Sequence, residues 1–99
     1  MYSLKYIRST KNVDVGADFR DSRAMLSPEQ SRAARGWLDW SQDDLAKRAN
    51  VSLSTVRDFE KGRRVPIANN LEAMSRAFHL AGIRPLFSGE RPTGITIES

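Results

Sequence analysis

The chain has 99 residues, 16 Lys and Arg against 12 Asp and Glu, a net charge of +4 and a pI near 10.0. That length suits one domain with a small core, and the complete lack of cysteine excludes disulfides and thiolate zinc sites while fitting a reducing cytoplasm. No apolar run approaches a membrane span, the first residues are too short and mixed for a signal peptide, and the basic balance favours a polyanionic partner.

Residues 1–25 read as an N-terminal arm. Tyr2, Leu4 and Tyr6 alternate with Ser3 and Lys5 in a weak strand pattern, and the stretch from Ser9 to Arg23 is polar and aperiodic, as in a flexible linker. Met25 opens a segment that reads as a complete domain, 26–82. Its first helix starts at Ser27-Pro28-Glu29-Gln30: Ser caps, Pro fits the first helical position, and Gln three residues on closes a capping box. Ala33, Ala34, Trp37 and Leu38 supply an apolar face at helical spacing, with Trp37 and Trp40 expected in core and staple positions.

Ser41-Gln42-Asp43-Asp44 announces a second helix, with Ser41 as cap, Asp44 reaching back, and both acids favouring the positive end of the helix dipole. Trp40 and Leu45 form a hydrophobic staple. The helix ends near Ala49, and Asn50-Val51-Ser52 makes a tight turn in which Asn replaces glycine in a left-handed conformation. Ser52 caps a third helix of about 53–61, Val51 and Val56 staple it, and Gly62 stops it. Arg63, Arg64, Val65 and Pro66 form a basic loop. A fourth helix carries Leu71, Met74, Ala77, Phe78 and Ala81 on one face and stops at Gly82. In the C-terminal tail, 83–99, Ile83 to Phe87 and Gly94 to Ile97 read as two short strands about a turn at 88–92.

The unit from Gln42 to Lys61 buries Leu45, Ala46, Ala49, Val51, Val56 and Phe59. This spacing suits two short helices crossing steeply about a tight turn, with small Ala46 at the crossing. Leu53, Ser54, Thr55, Arg57, Asp58 and Lys61 are then left exposed. Residues 41–66 hold six cations (Lys47, Arg48, Arg57, Lys61, Arg63, Arg64) against four acids, whereas 67–99 hold three of each.

The run Ser41-Gln42-Asp43-Asp44-Leu45-Ala46-Lys47-Arg48-Ala49, followed by Val51 to Gly62 and then Arg63-Arg64-Val65-Pro66, resembles the Cro/C1-type (XRE-like) helix-turn-helix family. The resemblance covers about residues 26–82. It departs at Asn50, where Gly is commonest, and at Ile67, where a polar cap is usual. It implies a mainly α fold, a compact four- to five-helix bundle containing the helix-turn-helix, with a short C-terminal β-hairpin outside its range. It also implies sequence-specific binding of double-stranded DNA by a cytoplasmic transcriptional regulator, a repressor acting as a homodimer, with the third helix in the major groove.

Carried over by position, Gln42 holds a phosphate or leans on the recognition helix. Leu53, Ser54 and Arg57 face bases. Ser52, Thr55, Lys61, Arg63 and Arg64 hold phosphates, and the amides at the starts of the second and third helices are further phosphate donors. The plainer alternatives are a solvated loop for Arg63 and Arg64, and surface ion pairs Arg57–Glu60 and Lys61–Asp58.

Enzyme chemistry finds no foothold. His79 is the single histidine, no phosphate loop or nucleophile elbow is present, and no cofactor or metal is implied. Two other readings use the same fold. One is an antitoxin whose polar arm blocks a toxin partner. The other is a protein-binding adaptor, favoured by Asp58 and Glu60 on the third helix, which repel phosphate.

Overall fold

The computed structural model describes residues 25–98. The arm read at 1–25 therefore lies outside the described residues except for Met25. The described chain is mainly helical: α1 (Pro28–Leu38), α2 (Gln42–Ala49), α3 (Leu53–Glu60) and α4 (Ala68–Leu80) precede a two-stranded antiparallel hairpin, β1 (Ile83–Ser88) and β2 (Arg91–Ile97).

Local chemistry sets each helix start. Ser27 accepts from the Gln30 amide while the Gln30 side chain accepts from the Ser27 amide, a complete capping box. Ser41 and Asp44 repeat it on α2. The Ser41 N–H and then its hydroxyl stabilise the Asp44 carboxylate and hold its pKa below the usual range. Ser52 caps α3 through the Thr55 amide. Among the helices of the described residues only α4 lacks a side-chain cap, because Ile67 occupies that position.

Three stops use the left-handed region that L side chains avoid. Asn50 sits at φ 58° between α2 and α3, and Gly62 at φ 76° follows α3. Asp39, at φ 59°, closes α1. Asn and Asp tolerate this conformation better than other non-glycine residues.

The core gathers Leu26, Ala34, Leu45, Ala46, Ala49, Val56, Phe59, Leu71, Met74, Ala77, Phe78 and Ile83. Ile83 is the first residue of β1, so the hairpin shares the helical core. Trp40 stacks on Phe78 with ring centroids 5.6 Å apart, and the Arg48 guanidinium lies 4.4 Å over the Trp40 ring. This column fastens the α1–α2 corner to α4.

The apolar face expected for α1 is only partly present. Ala33 is exposed and Trp37 is 65% exposed. The buried residues of α1 are instead Gln30, Ser31 and Ala34. A polar buried face is tolerated only if its groups are hydrogen-bonded, and these are. The Gln30 side-chain amide donates to the carbonyls of Leu86 (2.8 Å) and Gly94 (2.9 Å), so the residue that closes the α1 capping box also ties α1 to both strands. Ser31 donates to Glu60. Ala81, expected on the apolar face of α4, is also exposed. It is the C-cap of that helix, beyond the last turn that packs.

A candidate nucleic-acid interface on the third helix

Helix α3 presents one side to the core and the other to solvent. Val56 and Phe59 are buried, and Leu53 is half-buried against the core. Ser54 and Arg57 are exposed, and Thr55 and Asp58 are partly so. At the head of the helix the hydroxyls of Ser52, Ser54 and Thr55 cluster, with Ser52 Oγ 2.8 Å from Thr55 Oγ1 and 3.1 Å from Ser54 Oγ. Their oxygens and the first-turn amides face the positive end of the helix dipole, a setting that favours an anion.

Glu60 anchors the other end of α3. Sequence reasoning left it on the surface as a partner for Arg57 or a repeller of phosphate. Instead it is 3% exposed and is the hub of the helical unit. Its Oε2 accepts from Arg35 Nε (2.9 Å) and the Ser31 hydroxyl. Its Oε1 accepts from Arg35 Nη2 (2.7 Å) and Gln42 Nε2 (3.1 Å), while Arg32 donates to its backbone carbonyl. Arg35 also reaches the Trp40 carbonyl at 3.0 Å. Burial pushes the Glu60 carboxyl up, but the donors on Arg35, Ser31 and Gln42 outweigh it and hold the pKa below the usual range. One carboxylate thus joins α1, α2 and α3 and fixes the angle at which α3 meets solvent. With Glu60 inward, the outward acid on α3 is Asp58 alone.

Gln42, read as a phosphate holder or a brace for the recognition helix, does brace it through Glu60. Its half-buried side chain has a second polar atom, the carbonyl oxygen, which the Glu60 contact leaves unused.

The cations are distributed unevenly in their pairing. Lys47 pairs with Asp43 at 3.1 Å, Arg76 with Glu72 at 3.2 Å and Arg84 with Glu98 at 3.1 Å. Among the described residues Arg57, Lys61, Arg63 and Arg64 form no ion pair and all are exposed. The surface pairs Arg57–Glu60 and Lys61–Asp58 do not form. These four lie at the solvent side of α3 (Arg57), at its C-cap (Lys61) and in the loop after it (Arg63, Arg64); Arg48 and Arg91 are likewise exposed and outside these ion pairs. A groove of about 220 Å³ separates helix from loop, lined by Thr55, Asp58, Arg64 and Val65 among others.

The arrangement is a pair of short helices joined at a left-handed Asn50, the second held from behind and lined in front by hydroxyls and unpaired cations. The model of the helix-turn-helix family, of the Cro/C1 (XRE-like) type, matches residues 32–81. The chain belongs to this helix-turn-helix family. Its members are DNA-binding regulators, and the match spans α1 from its second turn to the end of α4. In this helix-turn-helix protein the hairpin follows the matched region. No curated protein matches the chain. Among the described residues no helix is long and apolar enough to cross a membrane, and no cluster of His, Asp or Glu could hold a metal ion.

The signal that would have revealed Glu60 was present but long-range. An acid at helical spacing with the apolar Val56 and Phe59 stands opposite a helix carrying Ser31, Arg32 and Arg35, and the pairing shows only once the two helices are crossed.

Proposed function

We propose that this helix-turn-helix protein reads a specific sequence in double-stranded DNA and acts as a transcriptional repressor in the cytoplasm, as a homodimer. The observation that carries the reading is the group of exposed cations that form no ion pair among the described residues, Arg57 on α3, Lys61 at its C-cap and Arg63 and Arg64 in the loop that follows, beside a helix whose rear is clamped by Glu60. The major groove admits an α-helix, and residues near its start meet base edges. Ser54 and Arg57 face bases in this arrangement. Arg57 pairs with guanine, and the exposed part of Leu53 lies near a thymine methyl. Ser52, Thr55, Lys61, Arg63 and Arg64 hold phosphates, which set register without reading sequence. Gln42 supports the helix and offers its carbonyl or amide at the groove rim. A dimer presents two such helices to half-sites about one turn, roughly 34–36 Å, apart.

The test is fluorescence anisotropy with duplexes tiled across the region upstream of the gene, at several salt concentrations. Tight binding to one tile is expected. Arg57→Ala should cost about 1–3 kcal/mol and relax specificity at one base pair. Arg63→Ala or Arg64→Ala should weaken all sequences alike and reduce the salt slope by about one. Weak, uniform binding that disappears with salt overturns the proposal of sequence reading.

A further inference from the structure

One outward residue of α3 has no part in the contacts assigned to the cations and hydroxyls, and it is an acid. With about 3.6 residues per turn, the direction opposite the buried Val56, Phe59 and Glu60 falls between Ser54 and Asp58. These two are four residues apart and share one side of the helix, while Arg57 and Thr55 stand on its flanks. Asp58 is half-buried where Ser54 is exposed, because the chain after α3 turns back beside it. The Arg63 amide donates to the Asp58 carbonyl at 2.9 Å, and Arg64 and Val65 line, with Ser54, Thr55 and Asp58, the groove between helix and loop.

The fold gains nothing from this carboxylate. Among the described residues it enters no ion pair and accepts no side-chain hydrogen bond, even from Arg64 across the groove. It sits in the last turn of α3, where the helix dipole disfavours a negative charge. On DNA its partners are few. A carboxylate accepts and does not donate, and phosphates repel it. In the major groove only cytosine and adenine offer it a proton, each from an exocyclic amino group. Adenine sets a ring-nitrogen acceptor beside that group, which opposes the second carboxylate oxygen, whereas cytosine has only a C–H there. Guanine and thymine present no donor at all on that side.

We infer that Asp58 is a specificity-determining residue, accepting a hydrogen bond from the amino group of a cytosine in the major groove and rejecting guanine and thymine at that position. This rests on the DNA reading proposed above and adds a base to it. The selectivity comes as much from repulsion as from attraction, since the wrong base meets a charged acceptor with its own acceptor. Ser54, whose hydroxyl both donates and accepts, is the tolerant neighbour on the same line. The loop that half-covers Asp58 restricts its side chain before DNA arrives, so less freedom is lost on binding.

The experiment selects duplexes from one randomised pool with the full chain as wild type, Asp58→Asn and Asp58→Ala. The bound fractions are sequenced, and anisotropy gives the dissociation constants for all four base pairs at each selected position. Wild type should select cytosine at one position and bind guanine or thymine there about tenfold or more weakly, with adenine penalised least. An Asn amide has a donor and an acceptor and pairs bidentately with adenine, so Asp58→Asn should move the preference at that position alone from cytosine to adenine. Asp58→Ala should lose the cytosine preference there and keep the other positions. Both variants also shed a negative charge, which tightens binding to every duplex at low salt; the change of ranking at one position separates a base contact from that uniform gain. A uniform gain with the ranking unchanged overturns the inference and leaves DNA reading standing. Thermal melts lowered in both variants would assign Asp58 to the fold and overturn it as well. A wild type that enriches no sequence fails the functional proposal itself, and this one with it.

Discussion

Replacing Glu60 by Gln tests the hub directly, because the substitution removes a charge and leaves the volume unchanged. Both carboxylate oxygens accept from Arg35, Oε2 from Nε at 2.9 Å and Oε1 from Nη2 at 2.7 Å. Whichever way the new amide turns, its NH2 group meets an Arg35 donor. The Arg35 guanidinium, with 18% of its side-chain surface exposed, is left without a counter-charge, and no relaxed alternative exists for Ser31, which is fully buried. Breaking one side of a buried pair costs about 3–5 kcal/mol, a large part of the roughly 5–15 kcal/mol that holds a typical domain together. Urea unfolding followed by tryptophan fluorescence measures the loss, since half-buried Trp40 stacks on Phe78 and reports the core. Arg35→Met alone should also destabilise, and the double substitution should cost less than the sum by about 1–3 kcal/mol, as for side chains in one network. The effect also depends on pH with a definite sign. The Glu60 pKa is lowered in the folded state, so its contribution is fully present above the unfolded value, about 4.3, and is lost as pH falls through the folded value. The gap between wild type and Glu60→Gln should therefore shrink in acid. A gap below about 1 kcal/mol, set against that expected cost, would refute the role of Glu60 as a hub. Strict additivity with Arg35→Met, or no change of the gap with pH, would do the same.

Three further outcomes follow from the backbone and the caps. Asn50→Ala should destabilise by about 1–2 kcal/mol and Asn50→Gly by less or not at all, because φ of 58° costs a β-carbon and not glycine; thermal melts of the pair check it. Gly82 lies at φ 91° with an added Cβ only 2.8 Å from the Glu98 carbonyl oxygen, so Gly82→Ala should cost about 1–3 kcal/mol and faster amide exchange should appear at Glu98. Gln30→Ala removes the side-chain half of the α1 capping box and both links to the hairpin; a loss of about 1–3 kcal/mol with faster exchange across β1 and β2 is expected, and exchange confined to the start of α1 would count against the tie to the strands.

Much of this protein is legible from short stretches of sequence. The caps at Ser27, Ser41 and Ser52 and the turn at Asn50 depend on residues three or four apart and on the backbone preference of one side chain. No tertiary partner is needed to form them, so the order and limits of α1, α2 and α3 and the exposure of Arg57, Lys61, Arg63 and Arg64 follow from the chain itself. The hairpin is legible too, through the alternation of Ile95 and Ile97 and a turn read at 88–92, although the ladder runs further than that reading, with β1 reaching Ser88 and β2 starting at Arg91. What the tertiary structure decided is which side of each helix is buried and what is buried there. Glu60 turned inward because α1 crosses α3 and brings Arg35, 25 residues away, to neutralise it. Trp37 stayed outside, and Gln30, Ser31 and Ala34 are the residues of α1 that are buried. Gln30, while it closes the helix cap with its oxygen, holds with its amide nitrogen two strands more than fifty residues on. A buried charge is stable only beside its partners, and which residues become partners is set by how the helices cross, a geometry that no local window of sequence contains.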